Sequence, residues 1–346
     1  MAFSIAHIDS EPRDFRGGQE ALLILARGLR ARGHKQVVVS PEGSALGARA
    51  REEGFETAPL SGLRALVREG GVQVIHAHSA RAQNIAFLAS AGLTGVCRVV
   101  SRHVAFPPRN RLVHWLKYSL TCDAIVAVSE AVRQVLLASG VAAEKTHVIP
   151  TGVEIPATLP ERGAERADFV IGHMGAFTAE KGQDVAVDAL ILLGPELPRA
   201  RLVLAGEGPL KAAVQARAEG AGARVSFPGF VSDRAGFLAS LDLFVMPSRQ
   251  EGWGLAALEA MAHGVPVVAS AAGGLTEIVD PGSGGWLVPP DNPRALAEAI
   301  AEAASDPVRL NRERMRARER AGLFSAEQTA ALTETLYQRI VPVSRA

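Results

Sequence analysis

Residues 251–269 of this 346-residue chain read EGWGLAALEAMAHGVPVVA. An apolar run precedes them and predicts a buried strand, and the closely spaced Gly252 and Gly254 predict a tight loop after it. A helix is expected from about Gly254 to the residue before Gly264, because glycine is the typical C-terminal cap. Residues 265–269 are apolar and rich in valine, which predicts another buried strand. Strand, loop, helix and strand in this order indicate a parallel β-α-β unit.

Short apolar runs alternate with amphipathic ones along the rest of the chain. Strand-like runs in the front half include Ser4–Ile8, Gln36–Val39, Val72–His76, Arg98–Ser101, Ala124–Val128 and Thr146–Ile149. Those in the back half are Phe169–Met174, Leu202–Ala205, Arg224–Phe227, Leu241–Met246 and Val265–Ala269. Helical patterns lie between them at Gln19–Arg32, Ala80–Ala91, Arg109–Leu120 and Glu130–Ser139, and a helical segment at Arg309–Val341 closes the chain. The pattern predicts an α/β protein with parallel sheets.

The alternation stops over residues 150–168, which are rich in proline, glycine and charge and have no apolar periodicity. Such a segment is typical of a linker. We therefore expect two Rossmann-like domains at 1–155 and 169–320, a linker at 156–168, and a C-terminal helix at 321–346 that packs back on the first domain. Ligands of open α/β sheets bind outside the carboxyl ends of the strands, so the glycine-rich turns there, and the crevice between the domains, are the expected site.

The overall charge of +1 hides an asymmetry between the two halves of the chain. Residues 1–150 hold 18 Lys/Arg against 12 Asp/Glu, which leaves 19 against 24 for the remainder. A basic front half can attract anionic partners, and a solvated arginine-rich surface is the alternative. No block of basic residues, aromatic stacking motif or zinc spacing indicates nucleic-acid binding. With 48% hydrophobic residues the chain is globular rather than disordered.

Features of the chain also bear on its compartment. Cys97 and Cys122 lie in apolar stretches and form no CxxC motif, which is typical of buried thiols in a reducing compartment. The apolar run at Phe3–Ile8 is too short for a secretory signal and continues into acidic residues. The longest stretch without Asp, Glu, Lys or Arg, residues 260–276, is interrupted by glycine and proline, so no membrane span is predicted. We expect a cytoplasmic protein.

Two carboxylates in the opening stretch are candidates for ligand binding: Glu251 precedes the predicted helix and Glu259 lies within it. The free N–H groups at the helix start, where Gly254 and Leu255 lie, form an anion site that suits a diphosphate. Glycine at 252 and 254 lets the backbone come close to a ligand. An ionised carboxylate accepts two hydrogen bonds from neighbouring hydroxyls, which suits a sugar and a ribose. Two surface glutamates that flank a packing helix are the alternative.

These residues resemble the signature of the retaining GT-B glycosyltransferases of family 4 (glycosyl transferases group 1). That signature is a Glu-x7-Glu pair followed by Ala-x-Gly-x-Pro-Val-Val, and Glu251, Glu259 and Ala262–Val268 match it. The resemblance is specific over residues 240–290 and looser towards the N-terminus. It implies the GT-B fold, in which two Rossmann-like domains face each other across a crevice. It also implies that Glu251 acts on the donor sugar as a catalytic residue and that Glu259 binds the ribose. The donor-binding loop and helix start are then Gly252, Gly254 and Leu255.

A second segment, Gly172–Gly182, resembles the turn in which family members present a lysine to the donor phosphates. Lys181 is therefore expected to neutralise the departing nucleotide, a solvated loop lysine being the alternative. Many relatives have Arg at the position of Ala176. One phosphate contact is therefore missing in this chain or comes from elsewhere. Further resemblances lie at the turn Gly206–Pro209 and at the segments Gly273–Val279 and Gly285–Pro290, for which a structural role is expected.

In the front half, the pair Gly17 and Gly18 lies between the first strand and the first helix. The resemblance implies that this pair lets backbone amides approach the donor, and a flexible turn is the alternative. His103 lies at the end of a strand, where relatives place a histidine that faces the transferred sugar, so the resemblance implies that it is a catalytic residue like Glu251. His78, at another strand end, is a weaker candidate for the acceptor side. Either histidine could instead be a structural residue with its hydrogen bonds satisfied.

The resemblance implies transfer of a sugar from a nucleotide-sugar donor to a hydroxyl acceptor with retention of configuration. In the implied front-face substitution, the leaving phosphate helps to deprotonate the incoming hydroxyl. No cofactor and no metal are expected, because the chain has no Asp-x-Asp triplet and no metal-ligand spacing. A nucleotide-sugar 2-epimerase, a two-lobed periplasmic sugar-binding protein and a nicotinamide oxidoreductase are the alternatives. The pattern leaves open the donor base, the sugar and the acceptor.

A glycan or glycolipid acceptor from cell-envelope synthesis is expected to be the second substrate. One segment of the front half mixes cations with aromatic residues, namely Arg109, Arg111, His114, Trp115, Lys117 and Tyr118. A helix of this composition can lie on an anionic membrane surface. The protein is therefore expected at the inner face of the plasma membrane, and packing of Trp115 within the domain is the alternative.

Overall fold

A computed structural model of the chain describes residues 2–13, 15–106, 110–159, 168–194, 196–282 and 284–342. They form two compact units, the first from the described residues of Met1–Gly152 and Ala326–Ala346 and the second from Val153–Ser325. Most of the linker expected at 156–168 falls on residues 160–167, which lie outside the described residues. The domain boundaries expected from the sequence stay predictions.

The strands of the first unit are β1 (Ser4–Ile8), β2 (Lys35–Ser40), β3 (Glu56–Pro59), β4 (Val74–Ala77), β5 (Cys97–Arg102), β6 (Ala124–Ala127) and β7 (Thr146–Val148). Those of the second are β8 (Phe169–Met174), β9 (Ala200–Ala205), β10 (Val225–Gly229), β11 (Leu243–Met246), β12 (Val267–Ser270) and β13 (Gly285–Val288). The helices up to the middle of the chain are α1 (Gly17–Ala31), α2 (Ala45–Glu52), α3 (Leu63–Glu69), α4 (Ala80–Ala89), α5 (Arg111–Thr121), α6 (Glu130–Ala138) and α7 (Gln183–Leu192). The remaining helices are α8 (Lys211–Ala218), α9 (Arg234–Ala239), α10 (Leu255–Ala262), α11 (Leu275–Ile278), α12 (Pro293–Ser305), α13 (Pro307–Gly322) and α14 (Ala326–Ile340).

The first unit is built on a seven-stranded sheet in the order β3-β2-β1-β4-β5-β6-β7, with parallel neighbours. The chain reverses its direction of winding between β1 and β4, which makes this pair a topological switch point. Serine side chains cap the helices that follow three of the strands: Ser44, Ser79 and Ser129 each accept a hydrogen bond from a backbone N–H in the first turn. Because ligands of such sheets bind at a switch point, a ligand site is expected at the carboxyl ends of β1 and β4.

The second unit repeats this plan with a six-stranded parallel sheet in the order β10-β9-β8-β11-β12-β13. Its switch point lies between β8 and β11, and the loops that follow these two strands carry Lys181 and Glu251. The expectation of an α/β protein with two parallel, Rossmann-like sheets is confirmed. Strands β3 and β13 were not expected, because β3 is a polar edge segment ending in a proline and β13 begins at Gly285.

Helix α1, helix α5 and the closing helical segment have boundaries that differ from expectation. Helix α1 begins at Gly17 rather than Gln19, because the Gln19 Oε1 atom accepts a hydrogen bond from the Arg16 N–H at 2.9 Å. Helix α5 begins at Arg111, and residues 107–109, including Arg109, lie outside the described residues. The closing helical segment is two helices, α13 and α14, with a break at which Ser325 forms a β-bridge with Val153.

Helix α14 packs against α1 in the first unit. A Cβ atom added at Gly28 would lie 2.6 Å from the Cβ of Ala330, so the two backbones approach more closely than any side chain at position 28 would allow. Within the described ranges, no helix combines the length and the apolar composition needed to cross a bilayer.

Candidate active site

The loop after β11 places the Glu251 carboxylate next to the Lys181 ammonium. The Lys181 Nζ atom lies 2.6 Å from Glu251 Oε2, and the side chains are 23% and 12% exposed. The Ser248 hydroxyl donates a longer hydrogen bond to the same carboxylate oxygen at 3.4 Å. Two site residues expected from separate motifs, 70 positions apart, are therefore brought together as an ion pair.

Glycine backbones hold the Glu251 loop in place. The Gly274 N–H donates to the Glu251 carbonyl at 3.2 Å, and a Cβ atom at Gly273 would lie only 1.9 Å from that oxygen. Gly254, just before α10, has a φ of +104°, and a Cβ there would lie 2.5 Å from the Leu275 side chain. A side chain at any of these three glycines would displace the loop, so Gly273 and Gly274 have the structural role expected for their segment.

The turn that presents Lys181 is held against the same loop by Gly182 and Arg249. Gly182 has a φ of +67°, and a Cβ there would lie 2.1 Å from the Pro247 carbonyl oxygen. The Arg249 guanidinium forms ion pairs of 2.7 Å with both Asp184 and Asp291. Hydrogen bonds and ion pairs to these carboxylates raise the pKa of Arg249 above its ordinary value, Asp184 contributing most. Sequence reasoning missed this arginine, because its carboxylate partners lie far away in the chain.

Glu259 lies on α10 and forms an ion pair with Arg234 at the start of α9. The carboxylate side chain is 13% exposed and that of the arginine 33%. Arg234 was also missed by sequence reasoning, since no local pattern connects two helices 25 residues apart. The pair places a cation beside the carboxylate that is expected to bind ribose.

The Gly206–Pro209 turn makes close backbone contacts with the Lys181 turn. A Cβ atom at Gly206 would lie 2.0 Å from the Gly175 carbonyl oxygen, and one at Gly208 would lie 2.6 Å from the Phe177 backbone. The glycines of the Gly206–Pro209 turn are therefore needed for packing. Ala176, for which the resemblance would lead one to expect arginine, accepts a hydrogen bond from the Gln183 side chain through its carbonyl at 2.8 Å.

His173, on β8, is a buried residue of this region to which sequence reasoning assigned no role. Its Nδ1–H donates to the Val245 carbonyl at 2.9 Å, and Nε2 has no hydrogen-bond partner among the described residues. Burial lowers the pKa of His173 to about 4, the Val245 hydrogen bond acting in the opposite direction. The ring is therefore neutral near pH 7 and presents an unpaired acceptor.

In the first unit, Gly17 and Gly18 form the first turn of α1. A Cβ atom at either glycine would meet no atom within 4 Å, and neither residue has a positive φ. Neither packing nor backbone conformation within the described residues therefore requires glycine here. The expected role, close approach of a ligand to the helix start, agrees with this open space.

His78 and His103 line one small cavity at the carboxyl ends of β4 and β5, together with His76 and Ser101. The His78 Nδ1 and His103 Nε2 atoms are buried and have no hydrogen-bond partner among the described residues. Burial lowers the pKa of His103 to about 4, and the Asp9 carboxylate acts in the opposite direction. The two expected histidines thus lie in one cavity as neutral rings, each with an unpaired nitrogen.

Three buried histidines come together at this end of the sheet: His7, His76 and His78 have ligand atoms within 4.8 Å of one another, which is close enough to hold a metal ion. Sequence spacing gave no sign of the group, since His7 is on another strand from the other two. The His7 and His78 rings already hydrogen bond to each other at 3.2 Å. Both nitrogens of His76 have partners, the Tyr337 hydroxyl at 2.6 Å and the Ser101 hydroxyl at 2.8 Å. A cation would have to replace these hydrogen bonds.

Two family models match the chain. Residues 168–306 match the model described as "Glycosyl transferases group 1", and residues 15–155 match the model described as "Glycosyltransferase Family 4". The two matches fall on the second and the first unit respectively. The second-unit match includes both strands of its switch point, β8 and β11, whereas the first-unit match begins after β1 and includes β4.

Curated relatives include a GDP-mannose-dependent alpha-(1-6)-phosphatidylinositol dimannoside mannosyltransferase of Mycobacterium tuberculosis, 38% identical over 55% of this chain and 51% of its own length. Another is the lipopolysaccharide core biosynthesis mannosyltransferase LpsB of Rhizobium meliloti, 34% identical over 52% of this chain and 54% of its own. The chain spans about half the length of these relatives. Among solved structures, Anabaena Alr3699/HepE in complex with UDP and glucose matches with a TM-score of 0.82 and 23% identity, covering 96% of this chain and 98% of that one. This likeness shows a shared fold.

Proposed function

Because the chain belongs to the family 4 glycosyltransferases (glycosyl transferases group 1), we propose that it transfers a sugar from a nucleotide-sugar donor to a hydroxyl acceptor with retention of configuration. The observation that carries this proposal is the Lys181–Glu251 ion pair at the switch point of the second sheet. A cation and a carboxylate beside the start of α10 suit a ligand that joins a diphosphate to a sugar. The expected alternatives, a solvated lysine and a surface glutamate, do not require this pairing.

The donor roles follow from the chemistry of each group. Lys181 would neutralise the diphosphate as the bond from the anomeric carbon to its phosphate oxygen breaks, and the free N–H groups at Leu255 would bind the same charge. Glu251 would bind hydroxyls of the transferred sugar. Glu259 would bind the ribose hydroxyls, with Arg234 as the ion-pair partner of its carboxylate. Gly17 and Gly18 would admit the donor phosphates to the start of α1.

The bond-forming step is proposed to take place on the face from which the nucleotide leaves. The acceptor hydroxyl oxygen bonds to the anomeric carbon, and its proton passes to the departing phosphate oxygen. His103 would face the transferred sugar, where its neutral ring can hydrogen bond to a hydroxyl. The protein then contributes orientation and charge stabilisation rather than a covalent intermediate.

We propose GDP-mannose as the donor, since one relative is named a GDP-mannose-dependent mannosyltransferase and another a mannosyltransferase. A thermal-shift comparison of GDP, UDP and ADP tests the base, because a ligand at 100 times its Kd stabilises by about 2.7 kcal/mol. Product NMR with GDP-mannose and with UDP-glucose tests transfer and the anomeric configuration. Release of an inverted product, or 2-epimerisation of the donor without any acceptor, would contradict the proposal.

Metal independence is part of the proposal, with Lys181 and the start of α10 taking the role of a cation. Activity is expected to survive EDTA and to gain little from Mg²⁺ or Mn²⁺. Activity that disappears with EDTA and returns with either ion would show that the phosphate chemistry is assigned wrongly.

For the acceptor we propose a glycan or glycolipid at an anionic membrane surface, which the protein contacts through helix α5. The outward face of α5 is apolar: Leu112 is 63%, Val113 60% and Leu120 62% exposed. A helix of a globular protein normally turns such a face inward. Two of the ring side chains expected to contact the membrane do not belong to this exposed face, since Tyr118 is buried and His114 is partly buried.

Charge around α5 favours an anionic lipid surface as the occupant of this face. Residues 70–122 contain no Asp or Glu and six Lys/Arg. Arg81 and Arg111 are exposed, and neither forms an ion pair with any residue that the structure describes. Such a combination of apolar residues and unpaired cations binds anionic headgroups. The cytoplasmic location expected from the sequence is part of this proposal.

Flotation with vesicles made of equal parts of phosphatidylglycerol and phosphatidylcholine tests the membrane contact. Wild-type protein should bind them, bind less at high salt, and bind vesicles of phosphatidylcholine alone only weakly. The triple variant Leu112→Gln/Leu116→Gln/Leu120→Gln should lose binding by more than about tenfold. The matched control, Phe230→Gln/Val308→Gln/Leu323→Gln, changes three exposed apolar residues of the second unit. The proposed membrane contact would be overturned by an equal loss of vesicle binding in both variants, or by a dimer that only the α5 variant dissociates.

A further inference from the structure

Buried histidines line one face of the first sheet where β1 and β4 meet. His7 on β1 and His76 on β4 are register partners, and His78 follows two residues later, so all three side chains project from the same face. The His76 and His78 rings stack with centroids 4.3 Å apart, and the His78 and His103 centroids are 6.2 Å apart. A row of imidazole rings, formed by His7, His76, His78 and His103, therefore runs from the interior of the sheet to the cavity.

The direction of the hydrogen bonds along this row begins at Gln36. Its Nε2 group donates to the Ala26 carbonyl at 2.9 Å, so its Oε1 atom is the one that lies 2.9 Å from His7 Nε2. An amide oxygen only accepts, so His7 must carry its proton on Nε2. Turning the amide over would place its oxygen against the Ala26 carbonyl, with two acceptors in contact.

The proton on His7 Nε2 determines the next bond. A neutral imidazole has one proton, so His7 Nδ1 is an acceptor, and the 3.2 Å bond to His78 Nε2 requires the proton to be on His78 Nε2. Burial lowers the pKa of His7 to about 4 and that of His78 well below its ordinary value, so both rings stay neutral near pH 7. His78 Nδ1 is left as a lone pair without a partner among the described residues.

We infer that Gln36 and His7 are positioning residues that hold His78 as its Nε2–H tautomer, so that His78 Nδ1 accepts a hydrogen bond from a hydroxyl of a sugar substrate. The inference rests on the proposed function for the chemical class of the ligand, and on the hydrogen-bond network alone for the tautomer. An acceptor of fixed direction selects a hydroxyl and rejects a carbonyl or a phosphate oxygen at that point. His78 therefore acts as a binding group that cannot donate a proton to its ligand.

A metal ion held by His7, His76 and His78 is the competing interpretation of the same cluster. The hydrogen-bonded interpretation is favoured because His7 and His78 are in direct contact and both His76 nitrogens are occupied. Zinc in stoichiometric amount in the purified protein, whose removal by a chelator shifts the His7 and His78 resonances, would overturn the tautomer assignment.

The first experiment measures the tautomer directly by two-dimensional NMR of protein labelled with 15N in histidine. His78 Nδ1 should show the shift of an unprotonated ring nitrogen and Nε2 that of a protonated one. A protonated Nδ1 in the wild-type protein would overturn the inference. This readout needs no substrate, so it stands or fails independently of glycosyl transfer.

The second experiment changes the first two members of the hydrogen-bonded row, Gln36 and His7. His7→Asn keeps an acceptor at the position of Nδ1 and should preserve the His78 tautomer, whereas His7→Leu and Gln36→Leu remove the restraint and should leave a tautomer mixture. The matched control is Tyr337→Phe, which removes an equally buried hydrogen bond to His76 but leaves the Gln36–His7–His78 row intact.

Kinetics then connect the tautomer with binding. Gln36→Leu and His7→Leu should raise KM for one sugar substrate by about tenfold, with smaller changes in kcat and in nucleoside diphosphate affinity, and His7→Asn should restore KM. A shifted tautomer with wild-type KM values for donor and acceptor would overturn the ligand role of His78 Nδ1. Normal nucleotide binding with no transfer by the wild-type protein would instead contradict the proposed function and leave the tautomer assignment standing.

Discussion

The two switch-point regions differ in the charge of their candidate binding groups. In the second unit the candidate groups are ionised and paired, with Lys181 against Glu251 and Arg234 against Glu259, all partly exposed. In the first unit the candidate groups are the imidazoles of His78, which is buried, and His103, which is partly buried, and the loss of solvation lowers the pKa of both. The same parallel-sheet plan therefore supports a charged site in one unit and an uncharged one in the other.

This difference in charge indicates which kind of ligand group each region is suited to bind. Partly exposed ion pairs are worth little in stability, so their members can exchange partners with a charged ligand at small cost. Buried neutral groups hold one hydrogen-bond direction and resist rearrangement, which suits recognition of hydroxyls. We expect the second unit to respond to changes in ligand charge and the first to changes in hydrogen-bond direction and in pH. Four experiments test this contrast, from the largest expected effect to the smallest.

The largest effect is expected for Glu251→Ala, because in the proposed mechanism hydrogen bonds from this carboxylate to the transferred sugar strengthen as the ring gains positive charge. We expect kcat to fall by about 100- to 1000-fold. Affinity for the bare nucleoside diphosphate should stay unchanged or increase, since Lys181 loses its anionic partner. Steady-state kinetics beside calorimetry with the diphosphate measure both effects. Glu251→Gln is the control for shape, and a wild-type kcat in the alanine variant would refute the role.

The second effect is the loss of stability with acid, which should be steeper in the first unit. His7, His103 and, in the second unit, His173 have folded-state pKa values lowered from 6.5 to about 4. The unfolded chain therefore takes up protons that the folded one does not, and stability present above pH 6.5 is lost as the pH falls towards 4. Each such histidine contributes about 1.4 kcal/mol per pH unit over this window.

Urea unfolding at pH 7 and at pH 5 measures this loss for each unit. Trp115 reports on the first unit, while Trp253 and Trp286 report on the second, so Trp→Phe variants isolate each signal. The first unit should lose more stability, because its histidine row adds His76 and His78, whose pKa values are also lowered by burial. Equal losses of unfolding free energy in the two units would contradict the expected difference between them.

The third effect concerns Glu259→Ala, which would remove the proposed charge-assisted hydrogen bonds to ribose, and these are made equally in the ground and transition states. Nucleoside diphosphate binding should weaken by about 1.5–3 kcal/mol, and the loss should appear mainly in KM. Arg234→Met is the matched control, because it breaks the same ion pair but keeps the carboxylate. Unaltered diphosphate affinity in Glu259→Ala, or an equal loss in Arg234→Met, would indicate a structural pair.

The smallest effect is expected at the start of α1. Gly17→Ala and Gly18→Ala add a methyl group in open space, so the free energy of unfolding should change by less than about 1 kcal/mol. Donor affinity should fall by up to about tenfold if the phosphates approach this backbone. Gly28→Ala is the contrasting control, since its methyl group would collide with Ala330 and destabilise the fold without touching a ligand. Unchanged donor affinity in both N-terminal variants would support the flexible-turn alternative.

Much of the architecture was predictable because its signals are local. Strands β1 and β8 have the bounds expected from their apolar runs, and helix α10 lies where Gly254 and Gly264 predicted it. Periodicity of side chains and the conformational needs of glycine act over a few residues, so a linear pattern contains them. Edge strands such as β3 were missed because a half-exposed strand does not need a continuous apolar run.

The candidate site was only partly predictable, and the missing residues share a cause. Lys181 and Glu251 were identified by motif, but their ion pair, the Arg249 clamp and the Arg234–Glu259 pair join residues 25 to 70 positions apart. Likewise, no spacing rule connects Gln36, His7 and His78, which meet only because β2, β1 and β4 are neighbours in the sheet. The sequence alone determined the fold class, the glycine turns and the ligand-binding types of side chain, since these depend on local chemistry. Strand order decided which of those side chains are charged partners and which are buried neutral ones, because solvation and pairing depend on neighbours that are distant in the chain.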